Sequence, residues 1–313
     1  MAEVSNLYVD KALTGLVIGK ANSYVADKLA PVVLHDQPSG SFPTLNDAHK
    51  VLHTDYAPLT GQVPTVESDY SWTDFSCDLV AFDGKIPMVN LGEPSLSNLE
   101  TQAFAAYSAA MQRVEYDVAA ALLGASGTST SVTGSWDTAT DSGDTVVEDV
   151  EVMKLGVYDA VGAMPNVMAC GSDVYSALRK QMWSKLNNPT SLTKSQIADA
   201  LELDDIVVVG GKYSTTTGGS LTAMWTAKTA IVFCRGDNAF VNEDSGEVQI
   251  NALEPSFAKT IRYDNGNGIA GVEIVRLEDQ TDGAYGNWIV RARIQYKPVI
   301  TLAAASTKNS VLA

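Results

Sequence analysis

His35, His49 and His53 are the only histidines of this 313-residue chain. His49-Lys50-Val51-Leu52-His53 has the i, i+4 spacing that places two imidazoles on one helix face for zinc. Lys50 stands where a metalloprotease needs a Glu base, and neither a helix cap nor a third ligand is evident, so chance adjacency is the better account. No Ser lies in a G-x-S-x-G elbow, and Val208-Val209-Gly210-Gly211-Lys212 lacks the glycine spacing of a phosphate loop. Asp237–Glu247 and Glu278–Asp282 alternate oxygen donors, yet neither follows the calcium-loop order of ligands and glycine; both read as solvated acidic loops. Cys77, Cys170 and Cys234 are odd in number and unpaired in spacing, which indicates neither a disulfide framework nor a metal knuckle and fits a reducing compartment. No catalytic, cofactor-binding or metal-ligating residue is therefore assigned, and no cofactor is expected. An α/β enzyme working through the acidic loops is the rival reading. The missing nucleophile–base constellation argues against it.

Arg291, Arg293 and Lys297 line the polar face of the final expected strand, a basic stripe in a chain of net charge −16. It is either a solvent face or a contact with acidic neighbours on another subunit. The overall charge opposes sequence-reading of nucleic acid, because DNA affinity rests on Lys and Arg neutralising phosphates. A chain that only encloses nucleic acid has no such need. Apolar residues make up 45% and charged residues only 19%, low for a protein that keeps its whole surface wet, so some surface is expected to be covered by other chains. The N-terminus lacks a basic n-region and a long apolar core, and no segment is long enough to cross a bilayer.

The elements that carry these residues begin with a helix expected from Ser97 to Leu123. Pro94 and the Ser97-x-x-Glu100 capping box start it, and Gly124 sits where a left-handed C-cap residue belongs. Leu96, Leu99, Ala103, Tyr107, Ala110, Val114, Val118 and Ala121 form its buried stripe. Before it, residues 1–34 look like an arm with helical stretches at Asp10–Ile18 and Ser23–Leu29, an extended Pro31–Leu34, and few large apolar residues to anchor a core. Asp36–Pro64 is rich in turn formers and too irregular for a stable isolated element; it reads as an excursion onto a neighbouring subunit. Val66–Met88 turns to strand, with a phase slip that suggests a β-bulge near Thr73–Asp74.

After the long helix come a polar loop at Gly127–Asp144 and a second helix at Val147–Gly162. Asn166–Cys170, Asp173–Gln181, Lys194–Leu201, Ile206–Val209, Leu221–Trp225 and Ala230–Phe233 then alternate as an α/β lobe. Phe257–Tyr263 is expected to pair with Ile269–Arg276 as a hairpin across Asp264-Asn265-Gly266-Asn267-Gly268. Trp288, Val290, Ala292, Ile294 and Tyr296 share one face of a last strand that Pro298 ends or bends.

Taken in order, several segments resemble the tailed-bacteriophage major capsid proteins of the Hong Kong type, whose shell fold is shared with encapsulins and the herpesvirus capsid floor. Asn22–Val33 is similar to the family's arm motif, and Ser39-Gly40-Ser41-Phe42 with Tyr70–Ala81 resembles the two limbs of its extended loop. Ser97–Leu123 looks like the spine helix. Pro165–Met168 with Val174–Leu178 resembles the start of the axial domain, Trp225–Phe233 a strand pair inside it, and Glu254–Tyr263 with Trp288–Thr301 the returning strands.

The resemblance implies an α+β chain: arm 1–35, extended β loop 36–88, peripheral domain 89–164 with spine helix 97–123, axial α/β domain 165–252, and returning strands with the C-terminus at 253–313. It implies no enzyme, but a major capsid protein that assembles through hexamers and pentamers into an icosahedral head enclosing double-stranded DNA without reading its sequence. The alternative is an encapsulin-like compartment shell around cargo protein. The partners implied are further copies of the chain, a separate scaffolding protein, since the arm begins almost at Met1, a portal, and in some relatives a decoration protein; no membrane is involved. The location implied is the virion, after assembly in the bacterial host cytoplasm. One subgroup of the family cross-links a loop Lys to an Asn of a neighbour, and Lys50, the only Lys between Lys28 and Lys85, is the one candidate here.

Overall fold

A computed structural model describes residues 10–20, 24–45, 70–87, 96–128, 130–137, 144–186, 192–216, 219–226, 228–236, 239–241, 248–250, 255–279 and 286–312. The chain starts with helices α1 (Lys11–Lys20) and α2 (Ala26–Leu29) and strand β1 (Val32–His35). Then come β2 (Ser39–Leu45), β3 (Tyr70–Ser76), β4 (Asp78–Pro87) and the long α3 (Leu96–Gly124). Helix α4 (Asp144–Val161), β5 (Val167–Gly171), α5 (Ser172–Leu186), α6 (Lys194–Ala200) and β6 (Asp205–Val209) follow. Short pieces come next: β7 (Lys212–Tyr213) and β8 (Thr222–Ala223), shorter than the expected Leu221–Trp225, then β9 (Thr229–Phe233), β10 (Ala239–Val241) and β11 (Val248–Ile250). The chain closes with β12 (Ala258–Tyr263), β13 (Val272–Asp279), β14 (Asn287–Ile300) and β15 (Ser306–Ser310).

Two sheets flank α3. The five-stranded one is built on β14, which pairs antiparallel with β4, β12 and β13, while β1 joins β12 in parallel. Tyr296 pairs with Asp78 of β4 on one edge and Arg262 of β12 on the other, and residues 287–294 pair with both β4 and β13. So β12 and β13 lie end to end along one edge of β14. The expected Phe257–Tyr263/Ile269–Arg276 hairpin does not form: Asn-Gly marks a turn but does not fix which strands it joins. A tight turn does close there, with Gly266, Ala270 and Gly271 at φ of 75°, 51° and 72°. The 14-residue β14 gains more ladder by taking both strands on one edge. Pro298 does not end β14, which continues to Ile300. The β4 ladder stops at Tyr296, so beyond it one edge of β14 has no partner strand in that ladder and a missing N–H is tolerated there.

In the second sheet the order is β15-β9-β5-β6, with β5 and β6 parallel across α5 and α6. Side chains alternate across a strand. Accordingly Val167, Ala169, Ile231 and Phe233 join the main cluster with α3, while Met168, Cys170, Ala230 and Val232 face a second cluster with α5 and α6. Both faces are buried, which explains the near-continuous apolar runs.

Helix α3 buries Leu99, Ala103, Tyr107, Ala110, Val114 and Val118 as expected, together with Ala106, Met111 and Leu122; Ala121 is only half-buried. It starts at Leu96, so Ser97 lies inside the first turn rather than capping it, and Gly124 ends it without a left-handed φ. That cap conformation occurs instead at Gly162 after α4, at φ 78°. Strand β4 crosses α3 at Gly84, where a Cβ would come within 2.6 Å of the Gln102 carbonyl oxygen. Only glycine permits that approach.

The arm departs from expectation. Leu13, Val17, Ala26, Leu29 and Ala30 belong to the main core, β1 extends the sheet, and Arg262 pairs with Asp27 at 2.5 Å. Small residues suffice as anchors because they pack against α3, which supplies the bulk. Asp36–Pro64 likewise contains a strand: β2 pairs with β3 from Ser39↔Ser76 to Leu45↔Tyr70 without a break in register. The phase slip is therefore no bulge at Thr73–Asp74. At Cys77 the chain leaves one sheet for the other, and Leu79 falls on an exposed face.

The polar loop after α3 is held by a buried carboxylate. Asp149 accepts hydrogen bonds from the Thr133 and Gly134 amides at 2.7 and 2.9 Å and from Trp136 Nε1 at 2.9 Å. Three donors around one carboxylate explain how a Ser/Thr/Gly-rich segment is fixed without an apolar core of its own.

Candidate assembly surface

The residues that looked most like chemistry do not converge. His49, Lys50 and His53 lie outside the described residues, as does Asp237; Glu278 is exposed at the end of β13. His35 is buried beside Phe75, its ring 5.3 Å away edge-on, and its Nδ1 lies 3.0 Å from the Gln37 amide, the role of a core histidine. Among the described residues no group of three or more His, Cys, Asp or Glu could hold a metal ion, and no helix is long and apolar enough to cross a membrane. All three cysteines are free and buried. Burial pushes the Cys77 thiol up to about 11 and the Cys170 and Cys234 thiols up to about 12, so none is poised as a nucleophile.

The basic stripe is answered within the chain. Arg291 makes a two-pronged contact to Asp83 of β4 at 2.6 and 2.8 Å, Arg293 pairs with Glu273 of β13, and Lys297 reaches Asp78 at 3.0 Å. Arg291↔Asp83 and Arg293↔Glu273 are directly opposite in register. These are cross-strand ion pairs, which stabilise a sheet locally. The Arg291 guanidinium also holds the Asp83 carboxyl below its usual range. The stripe is still partly exposed, as a solvent face would be, and its charges are paired within the chain. Asp78 and Asp83 were invisible as partners because β4 and β14 are about two hundred residues apart, and Glu273 because the hairpin expected for β13 paired it with a different strand.

Several large apolar side chains among the described residues are exposed. Trp72 on β3 is 56% exposed and Leu79 on β4 62%; Phe82 and Phe104, on β4 and α3, are also exposed. On α4, Val150, Met153 and Val157 face inward, yet Val152, Leu155 and Tyr158 point out. A helix apolar on more than one face expects a second covering layer, a signal readable in the sequence of α4 and missed there. Along α3 lies a groove of about 430 Å³ bounded by Phe82, Arg113, Tyr116 and Tyr213, with the two tyrosine rings edge-on at 4.9 Å and Arg113 over Tyr116 at 5.5 Å. An adjoining cleft of about 700 Å³ runs to Tyr24 and Gly211. Groove and cleft together form a broad surface lined mainly by apolar, aromatic and small side chains, with Glu115 and Lys212 in the cleft.

Comparison with family models and with curated protein sequences finds no match. Solved structures do match. A phage-related protein from Bordetella bronchiseptica RB50 superposes with a TM-score of 0.69 at 18% identity, over 97% of each chain. A virus-like particle from Pyrococcus furiosus gives 0.55 at 12% identity, over 95% of this chain and 96% of its own. The putative capsid protein of a prophage of E. coli CFT073 gives 0.51 at 12%, over 98% and 100%. The chain thus has the mixed α+β shell fold of phage capsid proteins over nearly its whole length.

Proposed function

We propose that this chain is the major capsid protein of a tailed bacteriophage, building an icosahedral head through hexamers and pentamers. The reading is supported above all by the likeness in fold, over 98% of this chain, to a putative prophage capsid protein, and by exposed apolar side chains on β3, β4 and α4 among the described residues. Residues 1–35, 36–88, 89–164, 165–252 and 253–313 act as arm, extended loop, peripheral domain, axial domain and returning strands. The chain has no catalytic turnover: its chemistry is packing, and closed symmetry makes many weak contacts into a stable container. Partners in this reading are other copies, a scaffolding function, a portal and enclosed double-stranded DNA, in a virion assembled in the bacterial cytoplasm.

A second reading, a compartment shell holding protein cargo, is favoured by the likeness to the Pyrococcus furiosus particle. Electron microscopy of the purified chain tests both. Closed particles tens of nanometres across are expected; those isolated from the natural source contain DNA if the first reading holds and protein if the second does. A stable monomer at high concentration contradicts both.

A further inference from the structure

Among the described residues, Glu115 is the exception to the pattern in which buried charges have partners. It lies on α3, is 6% exposed, and makes no hydrogen bond or ion pair with any described residue. Burial raises its carboxyl above the ordinary range, with no compensating donor. Glu115 lines the 700 Å³ cleft between Tyr24 and Val25 just before α2, helix α3, and the turn after β6. Its opposite wall is Gly211, where a Cβ would stand 3.2 Å from Glu115 Oε1 and 2.7 Å from the Met224 sulfur. Glycine there keeps the approach to the carboxylate open. Lys212, on the rim, is exposed and forms no ion pair with it. A carboxylate held at low exposure without a partner is less stable than a paired one, and a cation entering from the cleft would relieve it.

We propose that this cleft is a socket for a basic side chain, Lys or Arg, of a second copy of the chain, so that Glu115 is unpaired in the free subunit and paired in the shell. The inference rests on the assembly reading above. Charge complementarity selects the occupant: the other charged residue of the lining, Lys212, forms no ion pair with Glu115, so the carboxylate is left to take an ammonium or guanidinium from outside. The aromatic groove that adjoins it, with Tyr116 and Tyr213, suits the stem of such a side chain. The carboxylate would then act as a register pin, favouring the copy that presents a cation and rejecting one that does not.

The sign of the effect separates a socket from an ordinary structural residue. Glu115→Gln removes the charge and keeps the shape. In the unassembled chain it should raise Tm by about 2–4 °C, because an unpaired buried charge is gone. In assembly it should raise the protein concentration needed for shells about tenfold or more, because the incoming cation loses its partner. Lys212→Met should change neither value. Wild-type shells together with a Glu115→Gln variant that falls in both measurements, or changes in neither, overturn the socket alone. A Lys212→Met variant with the same assembly defect makes the chain's own lysine the partner and overturns it too. Should Glu115→Gln not fold, Glu115→Asp keeps the charge but draws it back by one methylene, and shells indistinguishable from wild type would count against the proposal. A wild-type chain that never assembles overturns the assembly reading itself, and the socket with it.

Discussion

The β5–β6–β9–β15 sheet and the β2–β3 ribbon are built from strands of similar length, yet they differ in what covers them. The first has α3 on one face and α5 with α6 on the other, and Val167 to Cys170, Ile206 and Ala230 to Phe233 are all fully buried. The second is two strands whose buried residues are few: Phe42 and Phe75 meet Cys77 and Ile261 in a small cluster, while Trp72 stays out. An isolated two-stranded ribbon is marginal in water. The difference teaches that one region is covered on both faces by its own chain, while the ribbon is the part that, in the assembly reading, a neighbour would complete.

The largest effect should come from the shared wall between regions. Val114→Asp on α3, or Val232→Asp in the four-stranded sheet, buries an unpaired carboxylate at several kcal/mol against a total stability of ~5–15 kcal/mol. No soluble, cooperatively melting protein is expected. A native circular dichroism spectrum from either variant would show that the covered face is not where it is placed. Next comes Asp149→Ala, which orphans three donors and should cost about 3 kcal/mol or more, read as a lowered urea midpoint at unchanged slope.

In the ribbon the same kind of change should hardly matter to the free chain. Trp72→Ser removes a largely exposed ring and should shift stability by less than about 0.5 kcal/mol, while shell yield falls sharply. A large loss of subunit stability would erase the contrast.

The smallest effect is one of rate and pH. Cys77 sits where the ribbon meets β4, Cys170 in the covered sheet, so a maleimide should label Cys77 through local opening well before Cys170. Because folding raises these thiols to about 11 and 12, the folded chain holds protons that the unfolded chain has lost above pH ~9. Stability should therefore fall as pH climbs from ~9 towards 11, checked by Tm at pH 8 and pH 10.

How far the sequence reaches follows the same division. Helix α3 and the strands β5, β6 and β9 were legible because local periodicity and burial agree in them. The hairpin expected across Asn265-Gly266-Asn267-Gly268 failed because turn chemistry is local while strand partnership belongs to β14, which is long enough to hold two strands on one edge. The arm was misjudged because Ala26 and Ala30 look weak as anchors until α3 is laid against them. Strand β15, which returns to pair with β9, carries Ser, Thr, Lys and Asn, a composition that announces no strand. Glu115 sits among helix formers and looks like any helical glutamate; its burial depends on a glycine turn nearly a hundred residues later.

The most direct test of the contrast is hydrogen exchange, followed residue by residue in unassembled protein and in purified shells. Amides of 167–171 and 229–233 should be slow in both states. Amides of 39–45 and 70–76 should exchange fast in the free subunit and slow by about a hundredfold or more in the shell, where a neighbour covers them. Equal protection of the ribbon in both states would contradict the account: the ribbon would then be a finished part of the subunit.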